Sequence, residues 1–194
     1  IERAQNWLYE ERTRRKTAVF GGATFDALPD TQRDRLLTRL MPLMRGIASE
    51  TGGHKLLHLN TSPEVMEFVN SQDLAPLAAL GTSCPDHFLR TKIRPLIVPE
   101  TTYELNDAEL QHAVQSLVKN YREDYAAYHA RCKREHSPAM RGPNPVVWLL
   151  PRVGMVTVAK DKSTARIAGE FYVNAINVMR EAHAVDRYMG LPEQ

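Results

Sequence analysis

Cysteine is nearly absent. The 194 residues contain two, Cys84 and Cys132, too few for a disulfide framework and consistent with a reducing, cytoplasmic setting. Long apolar runs are missing too. None approaches the roughly 20 residues of a membrane span, and the opening IERAQNWLYEERTRRK is charged throughout, without the apolar centre of a signal peptide. Charge of one sign is not in excess. Lys and Arg number 25 against 23 Asp and Glu, a net charge of +2, so nucleic-acid binding has to rest on a local patch. The best patch, Arg12, Arg14, Arg15 and Lys16, is set against Glu10 and Glu11 and has no interleaved aromatics, so it reads as a solvated helix end. Neither nucleic acid nor membrane is expected as a partner. AVFGGATF (18–25) carries Gly-Gly but no G-x-G-x-x-G, which removes the dinucleotide fingerprint.

What is present belongs to a globular chain: 43% hydrophobic and 25% charged residues are enough for a packed core. Apolar spacing predicts helices over 1–16, 31–50 and 106–136, short ones at 62–71 and 73–80, and a last one from Asp161 or Ser163. Asp30 or Thr31 is placed to cap the second helix, Ser62 to open the next with Pro63 in its first turn, and Asn106 with Glu109 to cap the longest. Ala165, Ala168, Tyr172, Ala175, Met179 and Ala182 form a small-residue seam on the last helix, with Ile167, Phe171 and Val178 as a second apolar face. KLLHLN, PLIVP, VVWLL and MVTVA read as short strands. Helices alternating with strands predict an α/β fold, a small sheet layered with helices, preceded by a helical extension.

GTSCPDHFLRTKIRPLIV (81–98) has the most chemistry. Cys84-x-x-His87 is half a zinc site, and His129, Cys132 and His136 recur at i, i+3 and i+7 of the long helix, but zinc takes four ligands and the alternative is a polar helix end with a buried thiol. Cys84 as a nucleophile needs a base, for which His87 is the neighbour; the alternative is a small turn residue before proline. Arg90, Lys92 and Arg94 share one face if 90–94 is extended. They then either converge on a phosphate or carboxylate or protect an exposed edge. His54 and His58 lie about 13 Å apart on a strand and do not chelate together.

Four stretches together, GTSCPDHFLRTKIRPLIV, YREDYAAYHAR, PNPVVWLLPRVGMVTVAKDKSTARIAGEFYVNAINVMR and LPEQ, resemble the bifunctional rhamnulose-1-phosphate aldolase/short-chain (lactaldehyde) dehydrogenases. The resemblance implies a middle region. Residues 1–30 would be the last helix and linker of a preceding aldolase domain, 31–188 an α/β domain resembling a degenerate class II aldolase/adducin-like unit, and 189–194 the lead-in to a dehydrogenase. It implies aldol cleavage of a ketose 1-phosphate and NAD-dependent oxidation of the aldehyde in rhamnose catabolism, with zinc and NAD held outside this chain and no cofactor within it. It further implies the flanking domains and a homo-oligomer as partners, and leaves open whether this stretch is itself an enzyme. By the strand and helix order of class II aldolases, His58 stands at the first zinc-ligand position, Asn60 at the second and Val153, before Gly154, at the third. Asn is a poor zinc ligand and Val is none, so no metal is expected here. For any binding role the candidates are His87, Arg90 and Lys92, then Asp161 and Arg166, as an anion or sugar-phosphate site. Sugar-phosphate binding and a metal-dependent lyase stand as alternatives to a structural, interface-forming domain.

Overall fold

Four short strands form the sheet on which the helices pack. The structure is a computed structural model and describes residues 2–193; Ile1 of the expected first helix and Gln194 of the closing segment lie outside the described residues. The strands β1 (Leu56–Asn60), β2 (Leu96–Ile97), β3 (Val147–Leu150) and β4 (Gly154–Ala159) are ordered β1-β4-β3-β2. β3 and β4 are a hairpin, β1 runs antiparallel along β4, and β2 runs parallel to β3. Parallel neighbours need a long crossover, and α6 (Asp107–Cys132) lies in the connection between them.

The hairpin turn is tight where β1 ends. Gly154 has φ 141° and lies against the Asn60 carbonyl, so that a Cβ there would come within 2.6 Å of that oxygen. Before it, the Arg152 N–H donates to Asn70 Oδ1 at 2.6 Å, tying the turn to the helix beyond.

Both faces of the sheet are covered. On one, α2 (Asp30–Ser49) and α6 bring Leu40, Met44, Ile47, Val114 and Val118 against Trp148, Leu150, Val156 and Val158. On the other, α3 (Pro63–Val69), α4 (Leu74–Ala79) and α7 (Lys162–Val185) bring Phe68, Leu77, Tyr172, Ile176 and Met179 against Val147, Leu149 and Met155. Every residue of β3 is buried, which is why VVWLL reads as a continuous apolar run and not as an alternation. The Thr157 hydroxyl, fully buried on β4, is satisfied by donating to the Ala165 carbonyl of α7 at 2.6 Å, as a buried polar group must be.

Two helices lie outside α7: α1 (Glu2–Arg15) and α5 (Pro85–Thr91). No residue of α1 is buried; polar contacts hold it. Arg12 pairs with Glu181 at 2.6 Å, the Thr17 hydroxyl donates to Ala184 O at 3.2 Å and Arg15 donates to Val185 O. The basic run expected to be solvated is in part engaged with the C-terminal turn of α7, where cations meet the partial negative charge of the helix end.

The caps are mixed. Asn106 and Glu109 make the reciprocal box, and Asp161 accepts from Thr164 N–H at 2.7 Å at the start of α7. α2 instead begins after Pro29 without a side-chain cap, and the Ser62 hydroxyl ahead of α3 has no partner among the described residues. Two expectations are corrected. Residues 85–91 are helical, so Arg90, Lys92 and Arg94 do not share one strand face. α6 ends at Cys132, so His136 is not on a helix face with His129 and Cys132. Among the described residues no helix is long and apolar enough to cross a membrane.

Candidate functional site

The 81–98 stretch is built around α5. Cys84 is extended (φ −140°, ψ 135°), Pro85 opens the helix and Asp86 sits in its first turn. Cys84 is half-buried and free, not the enclosed thiol expected. The helix ends where Lys92 adopts φ 63°, a left-handed conformation that a non-glycine residue holds only when its surroundings enforce it.

Those surroundings are polar and specific. Lys92 is 8% exposed. Its ammonium donates to the carbonyls of Gly142 and Asn144, the latter at 2.6 Å, and lies 4.0 Å from the centroid of the Tyr125 ring. Asn144 is itself a hub. Its side-chain oxygen accepts from Arg122 Nε at 2.8 Å, and its amide nitrogen donates to Ala48 O and Thr51 Oγ1, both at 2.9 Å. Lys92 thus joins α5 to the loop that knits together α2 and α6. Burial, with a smaller push from Arg141, lowers its pKa to about 8. An amine with this pKa is a conceivable nucleophile, yet this one is enclosed and engaged on carbonyls and a ring face. It is a clamp.

The other candidates point elsewhere. His87 lies edge-on to Phe171 with centroids 5.5 Å apart, and the Arg90 guanidinium covers the same ring at 5.8 Å. Burial lowers the His87 pKa, with Asp86 opposing, and its Nδ1 has no partner among the described residues. Asp161 caps α7, and its hydrogen bonds from Thr164 lower its pKa. Arg166 pairs with Glu170 one turn on. His87 and Arg90 therefore meet on Phe171, while Asp161 and Arg166 are engaged within α7 and Lys92 is held by the 142–144 loop.

Of the three positions that the resemblance singles out, two are neighbours in the backbone. Asn60 ends β1 beside the Val153–Gly154 turn. His58 faces α7, close to Gly169. The Asn60 side-chain oxygen accepts from Ser62 N–H at 2.8 Å, and Val153 is fully enclosed in the cluster under α2 and α6. Among the described residues no three His, Cys, Asp or Glu side chains are grouped to hold a metal ion.

Two concave regions went unread in the sequence. A cavity of about 370 Å³ lies between α6 and the 93–96 segment, with Leu96, Leu117, Tyr121, Tyr125 and Tyr128 in its walls and Arg94, Arg131 and Glu193 among its polar lining. Arg131 holds both Glu193 oxygens, at 3.1 and 3.0 Å, and Arg94 lies 3.9 Å from one of them. The signal was there: tyrosines in place of leucines along the end of α6 are apolar rings with polar tips, suited to a wall that is half wet. The second region is an open cleft of about 760 Å³ flanked by the Asp73–His183 pair, 3.1 Å apart. Among the described residues lining it there is no serine, cysteine or lysine to act as a nucleophile. That pairing spans 110 residues and leaves no local pattern.

Residues 35–194 match the family described as aldolase class II, second domain, and the chain belongs to that family. Over 175 residues it is 32% identical to YuxG of Bacillus subtilis (strain 168), named as an uncharacterized oxidoreductase; the alignment covers 90% of this chain and 25% of that protein. The chain thus spans about a quarter of the length of the curated relative it matches. No solved structure matches it.

Proposed function

We propose that the chain is a non-catalytic, interface-forming domain of a longer enzyme of sugar catabolism. That enzyme joins aldol cleavage of a rhamnulose 1-phosphate-type ketose phosphate to NAD-dependent oxidation of the aldehyde product, with zinc and NAD in its other domains. Family membership and the oxidoreductase relative support the setting. The observation that carries the non-catalytic reading is the fate of the metal-ligand positions: Asn60 is spent on a backbone N–H and Val153 is core. A zinc centre that polarises a carbonyl needs three protein ligands and an open position, and His58 supplies one. The test is retro-aldol assay and elemental analysis of the chain purified without chelator. No activity and no stoichiometric zinc are expected; zinc-dependent cleavage by the chain alone overturns the reading.

Sugar-phosphate binding at His87 and Arg90 is a second reading. What favours it is that Arg90 covers Phe171 with no carboxylate paired to it among the described residues. It requires thermal stabilisation by dihydroxyacetone phosphate that Arg90→Ala abolishes.

A further inference from the structure

The closing segment of the chain is laid across the molecule as a strap. Tyr188 is buried and its hydroxyl donates to Gly81 O at 2.9 Å. Leu191 N–H donates to Thr82 O at 2.8 Å. Gly190 passes so close to the Leu80 carbonyl that a Cβ would stand 1.8 Å from its oxygen. These anchors carry Glu193 to the mouth of the 370 Å³ cavity, where its carboxylate sits between the guanidinium groups of Arg131 and Arg94.

The cavity has the make-up of a small-ligand site: apolar and aromatic walls with a few converging polar groups. Tyr121, Tyr125 and Tyr128 offer ring surface and Asn120 adds hydrogen-bonding capacity, while the Asp124 carboxylate accepts only and so keeps the anionic end of a ligand at the arginines. Two arginines at one end are suited to a carboxylate or phosphate, which a guanidinium fork grips through paired N–H donors. Such a group is already there, supplied by the protein itself. The contact is loosely held, since the side chains of Arg94, Arg131 and Glu193 are 52%, 55% and 38% exposed, and ion pairs this open to water are weak. The upstream anchors do not depend on it.

We infer that this cavity binds a small organic oxyanion, a carboxylate or a phosphate monoester on a compact body, and that Glu193 is a tethered competitor for the same two arginines. The ligand's anionic group takes the place of the Glu193 carboxylate while its body lies along the tyrosine rings. This site is separate from His87 and Arg90 and does not require the domain to be catalytic.

The experiment is a titration followed by the ring resonances of Tyr121, Tyr125 and Tyr128 and the side-chain Nε–H of Arg131. The probes are 4-hydroxybenzoate and glycerol 3-phosphate, with sodium chloride at matched ionic strength as control. Removing the competing charge in Glu193→Gln is expected to tighten at least one probe by about two- to fivefold, the scale of one exposed ion pair. Arg94→Ala combined with Arg131→Ala in the Glu193→Gln background is expected to lose it. Which probe binds identifies the body that the walls accept. Sodium chloride giving the same shifts, Glu193→Gln binding no tighter than the parent, or the double-arginine variant binding equally well would each overturn the proposal. Arg90→Ala is expected to leave these titrations unchanged. Circular dichroism melting of every variant confirms that each is folded.

Discussion

Gly154 and Lys92 both hold the backbone where most side chains would not. Gly154 combines a φ of 141° with an approach to the Asn60 carbonyl that leaves no room for a methyl group. Gly154→Ala therefore has to open the β3–β4 turn or push β1 away, and is expected to cost about 2 kcal/mol or more in chemical denaturation; an unchanged midpoint would mean that the turn is loose. Lys92 is the second. Its pKa falls from the ordinary 10.5 to about 8 because it is buried, whereas the unfolded chain keeps that proton up to the ordinary value. Between the two, the unfolded state binds more protons, so stability rises with pH; below about 8 the full cost of burying the ammonium is present. Referred to Lys92→Met, the unfolding free energy of the parent should climb by at most about 3 kcal/mol across that window. A flat difference would mean that the carbonyls of Gly142 and Asn144 and the Tyr125 ring solvate the ammonium as well as water does.

The elements differ in how far local chemistry decides them. α6 carries its own start signal, since Asn106 and Glu109 exchange hydrogen bonds at 3.0 and 3.2 Å. Asn106→Ala is expected to lower stability by about 1 kcal/mol and Asn106→Asp to retain most of it; equal losses would mean that the box does not cap. α6, α7 and the β3–β4 hairpin were legible because period, cap and turn agree in each. α5 was not. The Arg90-Lys92-Arg94 beat imitates a strand, and a seven-residue helix is too short to show its own period. The left-handed Lys92 that ends it is enforced by Gly142 and Asn144, some 50 residues away. The same limit hid the cavity, whose arginines and carboxylate come from three separate parts of the chain. Asn60 and Val153 stood out only through the resemblance, and the structure adds what their side chains do: one accepts from the Ser62 N–H and the other is core.

At the scale of the whole molecule, the sheet is a shared wall. Leu149 and Leu150 are neighbours in sequence, both fully buried, and they face opposite clusters. Leu149→Ala and Leu150→Ala should each cost about 2–5 kcal/mol and displace one common transition, because neither layer keeps its core without β3. In a Trp7→Phe background, Trp148 fluorescence and far-ultraviolet circular dichroism are expected to trace coincident unfolding curves; two separated transitions would mean that the layers melt independently. The pairing of β1 with β4 also sets a schedule for synthesis. β1 is made about 100 residues before the strand it pairs with, and at roughly 5–20 residues per second it waits about 5–20 s on the ribosome. Through that interval the apolar stripe of α2 has no sheet to lie on, so this domain matures only as its last helix emerges.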